Sequence, residues 1–103
     1  MRLSTYEINS IKDTFKETFK DGKIFLFGSR VDDNKRGGDI DLYIQIDNKK
    51  EILSKKIKFL VNLKEKIGDQ KIDLLISKDE TRVIEKEALS KGIKLWKKIL
   101  MKV

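Results

Sequence analysis

The sequence predicts an α+β domain, a small mixed sheet of about three strands backed by helices, in the order α-β-β-α-β-α-α. Residues 39–46 (Asp-Ile-Asp-Leu-Tyr-Ile-Gln-Ile) place an apolar side chain at every second position, as a half-buried strand does. Two shorter β-prone runs, 23–27 and 71–76, lie on either side of it in the chain. Elsewhere apolar residues recur at helical spacing.

The first helix opens on a capping box, Ser4-Thr-Tyr-Glu7, in which hydroxyl and carboxylate each take the other residue's amide. Ile8, Ile11, Phe15 and Phe19 follow on one face, and Asp21-Gly22 is expected to end the helix through a positive φ at Gly22. Residues 23–27 form a short apolar strand, and 28–38 a polar, glycine-bearing loop. In the next strand Ile40, Leu42, Ile44 and Ile46 point one way, and Asp39, Asp41, Tyr43 and Gln45 the other. Leu53, Ile57, Leu60, Leu63 and Ile67 define an amphipathic helix closed by Gly68. A third strand at 71–76 sets Ile72, Leu74 and Ile76 against Asp73. Ser77-Lys-Asp-Glu80 is a second capping-box signal, predicting a helix over 80–90 with a break at Gly92. Leu95, Trp96, Ile99, Leu100 and Val103 then predict a helical tail.

With 103 residues the chain suits one domain, 1–103, with one modest core. Charged residues make up 40% and no apolar run nears the roughly 20 residues that cross a bilayer, so a membrane role is not expected. The N-terminus lacks the apolar stretch of a signal peptide, which makes the cytoplasm the expected location. Without cysteine or histidine, disulfides, thiolate sites and imidazole ligands are excluded, and any metal must be held by oxygen. The net charge of +7 suits anionic partners: nucleotides, nucleic acid or an acidic protein. The lysines are spread over every segment and no aromatics interleave with them, so a dedicated nucleic-acid module is not favoured.

Strand alternation puts Asp39 and Asp41 on one face, roughly 6–7 Å apart. Two like charges that close repel unless a cation lies between them. Asp73 is likewise a lone carboxylate in an apolar strand, able to join them if the strands pair. A solvated sheet face would also carry alternating aspartates. The Gly28-Ser29 turn upstream weighs against that plainer explanation, because glycine lets backbone approach a phosphate and the hydroxyl can donate to it. Arg30, Lys35 and Arg36 are candidate phosphate clamps in the same loop, whereas Asp32 and Asp33 favour a turn.

A Gly-Ser turn, a gap of about ten residues, Asp-x-Asp in a strand and a later lone Asp resemble the pattern of the DNA polymerase β-type nucleotidyltransferases. The short length, the Gly28-Ser29-Arg30 opening and the stretch from Gly38 to Leu42 look most like the minimal nucleotidyltransferases. These are prokaryotic proteins often paired, as antitoxin, with a HEPN-domain toxin. The resemblance runs from the first helix to about residue 97 and implies a polymerase β-type fold. It implies that Gly28 and Ser29, with Arg30 beside them, hold the phosphates of a nucleoside triphosphate, ATP by analogy. It implies that Asp39 and Asp41 bind two Mg²⁺ ions, with Asp73 completing the metal site and activating an attacking hydroxyl. The implied reaction is transfer of AMP to a tyrosine of the partner toxin. Gly38 stands where the commoner motif has serine, a departure that touches no metal ligand. Two alternatives stay open: an antitoxin acting by contact alone, with Trp96, Ile99 and Leu100 as its patch, and nucleotide addition to RNA ends. Homo-oligomerisation also stays open.

Overall fold

In the computed structural model, residues 3–19, 21–28, 39–78 and 81–98 are described. The elements are α1 (Thr5–Thr18), β1 (Gly22–Phe27), β2 (Ile40–Gln45), α2 (Ile52–Ile67), β3 (Ile72–Ile76), α3 (Val83–Lys91) and β4 (Ile93–Lys98). The sheet has four strands, in the order β3-β2-β1-β4. β1 is antiparallel to β2 and β4, while β2 and β3 run parallel, so the sheet is mixed.

One face of the sheet carries the main core. Ile24, Leu26, Ile40, Leu42, Ile44, Ile46, Ile72 and Leu74 pack against Ile11, Phe15 and Phe19 of the first helical segment and Phe59 and Leu63 of α2. The other face is not fully solvated. α3 lays Ala88 over Phe25 and Tyr43, with Phe27, Leu75 and Leu89 around them.

The capping box of α1 is present: the Glu7 amide donates to Ser4 Oγ at 3.1 Å, and the Ser4 amide to Glu7 Oε1 at 3.0 Å. The helix ends sooner than expected, at Thr18 with Phe19 in extended conformation, and Gly22 opens β1. The four strands, against about three expected, arise at the tail. Residues 93–98 pair with β1 and are not helical. A bulge explains why the pattern misled. Phe25 pairs with Lys94 and Ile24 with Trp96, which leaves Leu95 as the extra residue. Leu95 and Trp96 thus both reach the core although adjacent, which breaks strand alternation and imitates helical spacing. Trp96 is partly buried against the core, and Lys16 Nζ lies 3.9 Å from its ring centroid. Ile99, Leu100 and Val103 lie outside the described residues.

In α2 the expected stripe is displaced. Leu53 and Ile57 are 74% and 64% exposed, and Phe59 and Leu63, flanked by Ile52, Leu60 and Ile67, face the sheet. The helix carries two adjacent apolar stripes, and periodicity alone does not say which one the sheet takes. The second capping box is also reassigned. Ser77 is buried, accepting from the Ile46 amide at 3.0 Å and donating to the Ile46 carbonyl at 3.1 Å. α3 starts later, at Val83, with no side-chain cap; Glu80 lies outside the described residues. Among the described residues no helix is long and apolar enough to cross a membrane.

Candidate active site

The parallel register sets Asp41 of β2 directly against Asp73 of β3, and the antiparallel register sets Phe27 of β1 on its other side. The last residue of β1 and two carboxylates therefore meet at one end of the sheet. Alternation keeps the Asp73 side chain exposed while Ile72 and Leu74 are buried. Asp39 stands just before β2, one step earlier than expected for a strand residue. The Ile40 amide donates to the Lys71 carbonyl at 3.0 Å, so the two strands are already joined there. The Lys71 ammonium lies 3.2 Å from Asp39 Oδ2.

Burial raises the pKa of Asp41, and the negative charges of Asp73 and Asp39 and a hydrogen bond with Asp73 raise it further; Lys71 opposes them. The Asp41 and Asp73 carboxyls are thus within hydrogen-bonding reach of one another. The same charges act on Lys71 so as to favour its charged form. Its hydrogen bond and ion pair with Asp39, and the charges of Asp73 and Asp41, raise its pKa.

Gly28 directly follows β1 with φ of +76°. A Cβ on this residue would fall on Asp41 Oδ2 and lie 3.0 Å from Asp41 Cγ. The loop backbone is therefore seated against the carboxyl, a closeness that only glycine permits. Ser29, Arg30, Lys35 and Arg36, also candidates from the sequence, lie outside the described residues. Beside the carboxylates lies a cleft of about 490 Å³, lined by Asp41, Asp73, Phe27, Leu75, Ile84 and Lys56 among others.

The oxygen-only donor set of Asp39, Asp41 and Asp73 is the chemistry that hard divalent cations such as Mg²⁺ take. As the side chains stand, no group of three acidic residues among the described residues is gathered tightly enough to enclose an ion. Asp41 and Asp73 pair, and Asp39 turns to Lys71. The donors fit the ion in kind.

Two features were not read from the sequence. Lys71 has a detectable signal: it stands two residues before Asp73, hence on the same face, and one step back along the register from the pair Ile40 and Ile72. The second feature is Glu85 of α3, fully buried. It accepts from the Tyr43 hydroxyl at 2.9 Å and from the Lys78 amide at 3.1 Å, with Arg82 Nη1 at 3.5 Å. Tyr43 is two residues from Asp41 on the same face, so this network fixes α3 behind the carboxylates. A tyrosine among the outward positions of a strand was the one hint of it.

Residues 9–99 match the family model described as polymerase beta, nucleotidyltransferase. No curated protein matches the chain. Among solved structures, a chain of a mutant MntA-HpeT toxin-antitoxin complex superposes with a TM-score of 0.65 at 22% identity, over 87% of this chain and 72% of that one. A chain from the tri-AMPylated HEPN toxin of Shewanella oneidensis in complex with MNT antitoxin gives 0.63 at 22% identity, over 88% and 70%. At such identity the likeness is one of fold.

Proposed function

The chain belongs to the polymerase β nucleotidyltransferase family, and from that premise we propose that it transfers AMP from ATP, with Mg²⁺, to a hydroxyl of a partner protein, a HEPN-type toxin. The observation that carries the reading is the meeting of Asp41 and Asp73 in the lining of one cleft, with the bare backbone of Gly28 seated against Asp41.

Asp39, Asp41 and Asp73 would hold the ions. Bound Mg²⁺ supplies charge neutralisation at the attacking and leaving oxygens of an in-line displacement. Gly28 lets the triphosphate come close to the backbone, and the family resemblance assigns Ser29 and Arg30 to the same phosphates. Asp73 is the exposed carboxylate, on the outer strand of the sheet, where an acceptor from another protein can reach it. It takes the proton of the acceptor hydroxyl as that oxygen bonds to the α-phosphorus, and the bond to the β-phosphate oxygen breaks to release pyrophosphate. The acceptor class is supported by the fold likeness to a complex whose HEPN toxin is AMPylated.

The test is label transfer from ATP radiolabelled on its α-phosphate, with Mg²⁺ and lysate of the host, beside an Asp39→Asn, Asp41→Asn control. A labelled protein band that requires the intact aspartates is expected. Label in RNA would replace the acceptor with a nucleic-acid end. No label, with nucleotide binding intact, would replace transfer with inhibition by contact.

A further inference from the structure

We propose that Lys71 is the built-in cation of this site: it holds Asp39 while no divalent ion is bound and surrenders it when one binds. The inference rests on the reading that Asp39, Asp41 and Asp73 are metal ligands.

The position of Lys71 is fixed by backbone. Its carbonyl accepts the Ile40 amide at 3.0 Å, at the step where β2 and β3 begin to pair. The next steps of that register are Ile40 with Ile72 and Asp41 with Asp73, so one step back sets Lys71 beside Asp39. Its ammonium lies 3.2 Å from Asp39 Oδ2. Asp39 Oδ2 is thereby engaged by the lysine, and no three acidic residues among those described gather round a point.

Three carboxylates and one ammonium leave a local charge of about −2, which still attracts a divalent cation. Such a cation must compete with the lysine for Asp39. The lysine side chain is 73% exposed, so it can swing into water without breaking any packing. The pair is therefore a weak and reversible latch that lowers ion affinity without blocking the site.

The experiment is a calorimetric titration of the full chain with Mn²⁺ alone, at low and at physiological salt. Wild type, Lys71→Met and Lys71→Arg are compared, with folding checked by circular dichroism. Loss of one positive charge this close should tighten Mn²⁺ binding by about three- to tenfold in Lys71→Met, less at the higher salt. Lys71→Arg, which keeps the charge, should bind as wild type does. A lysine with only a structural role would give unchanged or weaker binding on removal. Equal or weaker binding by folded Lys71→Met therefore overturns the inference and leaves the metal site standing. Absence of saturable Mn²⁺ binding in every variant, with and without ATP, overturns the metal reading and the inference with it. Should Lys71→Met not fold, Lys71→Gln carries the same comparison.

Discussion

Asp41 bears the electrostatic cost of the site. Burial and two neighbouring carboxylates raise its pKa above the ordinary 3.8. The folded state then binds its proton more tightly than the unfolded state, so this group's contribution to stability falls as pH rises above 3.8 through the raised value. At neutral pH the ionised form destabilises the metal-free fold. Asp41→Asn should therefore melt higher than wild type at pH 7 in chelator, with the gap closing as pH falls through the raised value toward 3.8. In the same protein AMP transfer should fall by more than about a hundredfold, since even outer-shell groups cost 10–100-fold. A melting temperature below wild type at pH 7 would show that the carboxylate is not strained. Gly28→Ala should cost about 1–2 kcal/mol from the left-handed backbone alone, and should also displace Asp41, so that transfer and folding stability fall together. The three aspartates were legible in the sequence because alternation by itself puts each opposite its isoleucine and leucine neighbours. Lys71 has the same parity as Asp73 and was legible in principle, but its significance depends on strand pairing. Glu85 was not legible. Its partner Tyr43 is 42 residues away and reaches it only because α3 crosses that face of the sheet.

Among the elements, α2 shows how far periodicity reaches. Leu53 and Leu63 both fit a helical apolar stripe, yet only Leu63 is buried. Leu63→Ala should cost about 2–5 kcal/mol by leaving a cavity. Leu53→Ser should stay within about 0.5 kcal/mol, as exposed substitutions do. Chemical denaturation of the two proteins distinguishes the assignments, and equal losses would return the buried face to the stripe expected from spacing. β4 shows the converse limit. Its bulge brings Leu95 and Trp96 to the same core, so the true strand has no alternation to read. Ser77 looked like a helix cap because capping residues are recognised by type and spacing. Here the hydroxyl is spent on Ile46, just past β2, a tertiary bond that no local pattern encodes.

At the scale of the whole molecule, the site draws on residues 28, 41 and 73 and exists only when three strands are aligned. Ion binding should then stabilise the fold by mass action. The melting temperature of wild type should rise with Mg²⁺ concentration, and that of the Asp39→Asn, Asp41→Asn protein should not; a parallel rise in both would place the ions elsewhere. Ties between the helices hold the opposite side: the Tyr6 hydroxyl donates to the Lys66 carbonyl at 2.8 Å, and Lys66 pairs with Glu17 at 3.1 Å. β3 has β2 as its only neighbour among the described strands, which makes it an edge of the described sheet. Asp73, exposed in an otherwise apolar run, would face its own like charge if two copies of β3 paired in register. The residue proposed to take a proton would thus also disfavour that pairing. Asp73→Val, made to silence the reaction, should show time-dependent light scattering at concentrations where Asp41→Asn stays clear.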